Sequence, residues 1–149
     1  MPIRYKHDET VATTPDRAFA AIDDLPLTAK WLPPCVSLAK VGTGPNAPGD
    51  KLRYVYKQGG RQNEMAGEIL ARTPGERLHC KYSDGSFDVS VDLSVSAAPR
   101  GALTTHIIEI TPKTLFGKLM SPLIRFGVGK QTRDAAANLK ELLESANSK

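Results

Sequence analysis

The chain has 149 residues, of which 40% are hydrophobic and 24% are charged. This length and balance predict one folded domain spanning residues 1–149 and argue against disorder. The net charge of +4 comes from basic residues scattered along the chain, which argues against nucleic-acid binding. The sequence contains no run of about 18 apolar residues, which argues against a membrane span.

The first residues contain no apolar segment typical of a secretory signal. Cys35 and Cys80 have no metal-ligand spacing. We therefore expect a cytoplasmic protein in which both cysteines are reduced thiols.

The N-terminal part of the chain predicts a strand followed by two short helices. Moderate alternation over residues 3–12 predicts the strand. A helix is predicted to start after Thr14, because threonine caps helices and Pro15 suits the first helical position. A second short helix is predicted over residues 25–32, with Leu27 and Trp31 on one side, and the prolines at 33–34 end it.

The middle of the chain predicts six further strands separated by turn residues. Five of them cover residues 36–41, 51–57, 78–82, 87–95 and 103–111, and one more follows the second of these and ends at about residue 71. Gly59-Gly60 and Asp84-Gly85 are hairpin signals. Phe87, Val89, Val91 and Leu93 alternate with polar residues, so we expect these four side chains to face the core and the polar ones to face solvent.

The last part of the chain predicts one long helix over residues 115–146. Apolar residues recur there at three- and four-residue steps, at Phe116, Leu119, Met120, Leu123, Ile124, Val128, Leu139, Leu142, Leu143 and Ala146. The order β-α-α-β-β-β-β-β-β-α therefore predicts an α+β fold, in which a curved antiparallel sheet of about seven strands wraps around this helix.

Several short segments in this order resemble a known superfamily. They are Thr-Pro-Asp-Arg-Ala-Phe at 14–19, Lys-Trp-Leu-Pro at 30–33, Gly-Asp at 49–50, Pro-Gly-Glu-Arg-Leu at 74–78, Gly101, and Leu-Lys-Glu-Leu-Leu-Glu at 139–144. The chain is similar to the helix-grip proteins of the START-like superfamily, also called SRPBCC, which includes the Bet v 1 allergens. Within it, the chain most resembles the polyketide cyclase/dehydrase-like group. The resemblance implies a cavity between the sheet and the C-terminal helix, and members bind lipids, sterols, polyketides, hormones, quinones or protein partners.

The sequence has its own indication of such a cavity. Gly127, Gly129 and the alanines at 135–137 place little bulk in the middle of the helix, which fits either a ligand-sized space or close helix–sheet packing. Tyr54 and Tyr56 share a strand face and either orient a ligand or cover the sheet edge, while Trp31 either plugs the core or contacts the ligand. The predicted ligand-binding residues are Trp31, Tyr54, Tyr56, Tyr82, Met120, Leu123, Ile124 and Phe126.

Candidates for chemistry are few. His79 is expected to be exposed, and the facing of His106 is ambiguous. His106 and Tyr54 are candidates for moving protons, the alternative for His106 being a structural, hydrogen-bonded histidine. Neither metal-ligand spacings nor nucleophile and phosphate-binding motifs occur, so the sequence predicts no metal and no cofactor.

Three functions are compatible with these patterns. The first is a binding or carrier protein for a small hydrophobic or amphipathic ligand that is lipid-, polyketide- or isoprenoid-like. The second is a cyclase or dehydratase acting on a polyketide-like substrate, and the third is a protein-interaction module. The basic and apolar stretch over residues 118–133 predicts either transient contact with an anionic membrane or a core helix with a solvated back, and the sequence does not indicate an oligomeric state.

Overall fold

The computed structural model describes residues 3–58, 60–119 and 121–147, and within them seven antiparallel strands form one sheet in the order β1-β7-β6-β5-β4-β3-β2. The strands are β1 Ile3–Val11, β2 Cys35–Lys40, β3 Lys51–Gln58, β4 Arg61–Thr73, β5 Arg77–Ser83, β6 Phe87–Ala98 and β7 Gly101–Pro112. Strands β2 to β7 pair consecutively, and β1 pairs with β7. The predicted antiparallel meander is confirmed.

The helices are α1 Pro15–Asp23, a 3₁₀ helix Leu25–Lys30, α2 Leu115–Leu119 and α3 Ser121–Asn147. The second short helix was predicted at the right place, but it is a 3₁₀ helix, the tighter form that is common in short connecting segments. The single helix predicted over residues 115–146 corresponds to α2 and α3, and Met120 between them lies outside the described residues.

Helix α1 begins where its sequence predicts. The Thr14 Oγ1 accepts a hydrogen bond from the Arg17 backbone N–H at 3.2 Å, which satisfies one of the free donors of the first turn. At the other end, Arg72 of β4 donates two hydrogen bonds to the Asp23 carboxylate, at 3.0 and 2.7 Å. This pair fastens the end of α1 to the sheet.

Helix α3 lies along β1 and β7, at one side of the sheet. The Lys140 Nζ donates to the Thr10 carbonyl oxygen at 3.1 Å, and the Glu144 carboxylate accepts from the Ala12 N–H at 2.9 Å. Gly129 permits a close approach to β1, because a Cβ there would lie 3.2 Å from the Tyr5 ring. The inner faces of β3 to β6 are therefore left opposite α3 rather than packed tightly against it.

The predicted inward and outward faces of β6 are confirmed. Leu93 is buried, whereas Asp92 accepts two hydrogen bonds from Arg77 at 2.9 and 2.6 Å on the outer face. Ser90 lies on that outer face too, with its Oγ 2.7 Å from Nε2 of His79. His79 lies on the outer face as its alternation with Leu78 predicts, but these neighbours leave it half-buried rather than exposed.

Gly101 opens β7 at a point where no larger residue fits. Its φ is 148°, and a Cβ there would collide with the Val11 carbonyl oxygen. The absence of a side chain lets the β6–β7 turn approach the end of β1. This is the physical reason for the glycine that the resemblance singled out.

Both cysteines are buried and free. Burial raises the pKa of the Cys35 thiol to about 11. In the described part of the chain, no helix combines the length and apolarity needed to cross a bilayer.

Candidate functional site

A cavity of about 370 Å³ lies between the inner face of the sheet and α3. Its volume is within the range typical of small-molecule sites, roughly 300–1,000 Å³. The sheet side is formed by inward residues of neighbouring strands, and the helix side by five residues of α3: Gly127, Val128, Gln131, Thr132 and Ala135. The predicted cavity between sheet and C-terminal helix is therefore present.

The described part of the cavity lining carries no charged side chain. Among the described residues that form it, none is Asp, Glu, Lys or Arg, and most are aliphatic or aromatic. An ion moved into such surroundings loses its hydration without an opposite charge to replace it. The cavity is therefore suited to uncharged, largely apolar molecules.

Three tyrosines meet on one wall. Tyr54 and Tyr56 alternate along β3, and their rings stack with centroids 5.3 Å apart and planes at 12°. The Tyr82 ring of β5 lies 5.4 Å from that of Tyr54, tilted by 50°. Burial raises the pKa values of both Tyr54 and Tyr82 well above their usual range, so these phenols are neutral hydrogen-bonding groups.

The absence of a side chain at Gly67 of β4 leaves space for the Tyr82 ring. The two residues are direct cross-strand partners, and a Cβ on Gly67 would lie 2.6 Å from Cδ1 of Tyr82. The ring thus lies over the glycine backbone, and a β4 residue with a side chain would push it away. Gly67 therefore positions one wall of the cavity, although it is not part of the cavity lining.

Trp31 closes the cavity next to the 3₁₀ helix. Its side chain is 4% exposed, and its carbonyl oxygen accepts a hydrogen bond from Asn138 Nδ2 of α3 at 3.1 Å. Its indole Nε1 is buried and has no hydrogen-bond partner among the described residues. Trp31 packs in the core and also lines the cavity, and its contact with a ligand stays a prediction.

His106 points inward from β7 and also lines the cavity. Its side chain is 1% exposed, and its Nε2 has no hydrogen-bond partner among the described residues. The ring meets the Trp31 ring edge to face, with centroids 6.1 Å apart. Burial, with His7 nearby, lowers the pKa of His106 to about 4, so the imidazole is neutral at pH 7. The carboxylate that influences it is that of Asp8 on β1, not that of its sequence neighbour Glu109.

Four of the predicted ligand-binding residues come together around this cavity: Trp31, Tyr54, Tyr56 and Tyr82. Phe126 does not join them, because it is 75% exposed and outside the lining. Residues two positions apart on a helix differ in direction by about 200°, so Phe126 points away from the cavity when Val128 points into it. Met120 and the side chains of Leu123 and Ile124 lie outside the described part of the chain.

The sequence reasoning missed other residues of the lining. Gln131, Thr132 and Ala135 follow Val128 at helical spacing, which is a signal that identifies them once Val128 is known to face inward. On β7, Ile108 and Ile110 share the face of His106 and pair with Val91 and Val89 of β6. That strand is apolar on both sides, so periodicity alone does not select its inner face.

Metal binding has no visible structural basis in the described residues. They contain no group of three or more His, Cys, Asp or Glu side chains arranged to hold a metal ion. The polar groups of the described lining are phenols, an imidazole, an indole N–H, an amide, a thiol and hydroxyls.

Comparison with known proteins identifies the family. Residues 2–144 match the family described as polyketide cyclase / dehydrase and lipid transport, and the chain belongs to this family. The predicted membership of the START-like superfamily and its polyketide cyclase/dehydrase-like group is confirmed. None of the curated protein sequences matches the chain.

Solved structures share the fold at low sequence identity. A START superfamily protein from Mycobacterium smegmatis is similar with a TM-score of 0.78 and 12% identity, covering 97% of this chain and 98% of its own. The protein TTHA0849 from Thermus thermophilus gives 0.78 and 16%, covering 98% and 99%. The Bet v 1-like allergen Ara h 8.0201 gives 0.74 and 18%, covering 97% and 99%. These similarities confirm the helix-grip fold.

Proposed function

We propose that this protein binds or carries a small hydrophobic or amphipathic ligand of the lipid, polyketide or isoprenoid type. The observation that carries the proposal is the cavity of about 370 Å³ with an uncharged, mostly apolar lining. Apolar surface that a ligand removes from water contributes roughly 25 cal/mol per Å², so such a lining favours a ligand with a large apolar part. The family description, which includes lipid transport, supports the same function.

The cavity's chemistry favours binding over the alternative of a cyclase or dehydratase. Acid–base catalysis works best with groups whose pKa lies near the working pH. Here the pKa of His106 is lowered to about 4, and burial raises the pKa of Tyr54 far above neutrality. Neither His106 nor Tyr54, the two candidates from the sequence, therefore has a pKa suited to proton transfer at neutral pH.

The third candidate function, a protein-interaction module, would be favoured by a filled interior, and the cavity argues against it.

The predicted cytoplasmic location is part of this proposal, because two buried cysteines that remain free are typical of a reducing compartment.

The test uses Nile red, an uncharged dye whose emission changes in apolar surroundings. Val91 lies in the middle of β6 and faces inward, yet it is only half-buried because it borders the cavity. Val91→Phe should fill the space and weaken dye binding at least about tenfold. It should leave the melting temperature nearly unchanged, since overpacking costs of about 1–3 kcal/mol arise only where a core is already full.

The matched control is Val36→Phe on β2, where the valine is 41% exposed and outside the lining. This variant should bind Nile red as the wild type does. Saturable one-site binding in the wild type, lost only in Val91→Phe, supports the proposal. A wild type that does not bind the dye, together with a clearly destabilised Val91→Phe, indicates a packed interior and contradicts it.

A further inference from the structure

The hydroxyl groups of the tyrosine wall are not equivalent. The Tyr56 hydroxyl donates a hydrogen bond to the Asp84 carboxylate at 3.2 Å. The Tyr82 hydroxyl interacts with the buried side chain of Cys80. Tyr54 lies between them and lines the cavity, and its hydroxyl has no hydrogen-bond partner among the described residues. One hydroxyl of the three therefore remains available to a ligand.

The ring of Tyr54 is held in place independently of its hydroxyl. It is stacked on Tyr56 on one side and contacts Tyr82 on the other, so its orientation is set by aromatic packing. A hydrogen-bonding group whose direction is fixed before binding loses little conformational entropy when it meets a ligand. Such a group selects ligands by the position of their polar atom.

Charge restricts the ligand further. The described lining contains no cation that would neutralise a carboxylate or phosphate, and no anion that would neutralise an ammonium group. His106 does not provide one either, because its lowered pKa of about 4 keeps the imidazole neutral at pH 7.

We propose that the ligand is an uncharged amphipath whose hydroxyl or carbonyl oxygen accepts a hydrogen bond from the Tyr54 hydroxyl, while the apolar part fills the rest of the cavity. This inference rests on the proposed ligand-binding function and narrows it. It assigns alcohols, ketones and esters to the cavity, and it excludes free fatty acids and phosphorylated lipids in their ionised forms.

The experiment compares three probes of matched chain length, octanol, octanoate and chloro-octane, by competition with Nile red. Octanol keeps a neutral oxygen, octanoate adds a charge, and chloro-octane lacks the oxygen. The wild type should bind octanol at least about tenfold more tightly than octanoate, because an unpaired charge is costly in this cavity. Chloro-octane lacks the hydrogen-bonding oxygen, so its binding measures the apolar contribution alone. Tyr54→Phe should weaken octanol binding about tenfold and leave chloro-octane binding within about twofold, because the ring remains and only the hydroxyl is lost.

The matched control is Tyr5→Phe on β1, which removes a hydroxyl that accepts a hydrogen bond from Arg133 outside the cavity lining. It should change none of the three affinities. Octanoate binding as tight as octanol binding, or an equal loss of all probes in Tyr54→Phe, overturns the inference. If Nile red binds saturably but octanol does not displace it, the inference about Tyr54 is overturned and the proposed ligand-binding function still stands. If Nile red itself does not bind, both the inference and the proposed function are overturned.

Discussion

Burial of the His106 imidazole determines its charge, and with it the charge of the cavity. The ring is enclosed by β1, β7 and the indole of Trp31, and its pKa is lowered to about 4 by burial and by His7, with Asp8 acting in the opposite direction. An unprotonated ring keeps the interior neutral across the physiological range. The same burial makes the stability of the fold sensitive to acid, because the ring takes up a proton more readily in the unfolded chain.

This difference predicts how stability depends on pH. Between pH 6.5 and about 4 the unfolded chain carries a proton on residue 106 and the folded chain does not, so the free energy of unfolding falls as pH decreases through this window. The loss should approach about 3 kcal/mol at the lower end, since one pKa unit corresponds to 1.36 kcal/mol. Urea unfolding measured over this range should show the slope in the wild type and lose most of it in His106→Gln.

The Asp92 carboxylate does not account for this slope. Hydrogen bonds from Arg77 lower the pKa of Asp92 beneath its usual 3.8, so its contribution to stability is lost only at more acidic pH. An unchanged slope in His106→Gln would show that another group is responsible.

At the scale of single elements, β4 and β5 shape the cavity wall through one cross-strand pair. Gly67 leaves its position on β4 free, and the Tyr82 ring occupies the space above it. The ring in turn supports Tyr54 on β3. Glycine weakens a strand by its flexibility, but Gly67 lets aromatic side chains of β3 and β5 pack into one wall that spans three strands.

We expect Gly67→Ala to disturb this wall. The new methyl group would lie 2.6 Å from the Tyr82 ring, so the ring must move toward the cavity. The free energy of unfolding should fall by about 1–3 kcal/mol, as for other overpacked cores, and Nile red should bind more weakly. Thermal unfolding and dye titration measure the two effects.

Gly85→Ala is the control for that substitution. A Cβ at Gly85 meets no atom within 4 Å, and its φ is not in the left-handed region. This variant should keep wild-type stability and dye binding. Equal effects of the two substitutions would show that the Gly67–Tyr82 contact is not the cause.

At the scale of the whole molecule, α3 combines a packed and an open part. Its C-terminal half buries Ala136, Leu139 and Leu143, with Leu139 0% exposed, and is tied to β1 by polar contacts. Its earlier turns present Gly127, Val128 and Gln131 to the cavity instead of to a packed sheet. The two parts therefore differ in their surroundings, since the C-terminal half packs in the core and the earlier turns border the cavity.

This difference predicts where ligand binding changes local stability. Amide hydrogens of residues 126–132 should exchange through local opening in the free protein and slow markedly when octanol is bound. Amides of residues 135–143 should be protected already and change less. Hydrogen exchange followed by mass spectrometry tests this, and equal slowing of both segments would contradict it.

Three apolar residues of α2 and of the first turns of α3 are exposed, which the sequence only partly indicated. Leu115, Leu119 and Phe126 are 76%, 72% and 75% exposed, although Leu119 belongs to the stripe that predicted a buried face. Basic residues lie nearby in sequence, and contact with an anionic membrane stays a prediction for this surface.

Much of the fold was determined by local sequence patterns. Alternation over residues 87–95 predicted both the strand and its inner face, because successive side chains of a strand point to opposite sides. Turn residues separated the strands, and Thr14 with Pro15 marked the start of α1, because these effects act within a few residues. The presence and order of the elements therefore followed from the sequence, and so did three tyrosines and one tryptophan of the cavity lining.

Only the tertiary structure decided the cavity and the residues that face it. Its width depends on how far α3 stands from β3–β6, which is set by contacts with β1 that are distant in sequence. The facing of His106 followed from pairing with His7 in a strand apolar on both sides. Phe126 points outward although it was predicted to bind the ligand, because the rotation of α3 about its axis is fixed by packing against β1. Periodicity defines the stripes of a helix, but only its partner decides which stripe is buried.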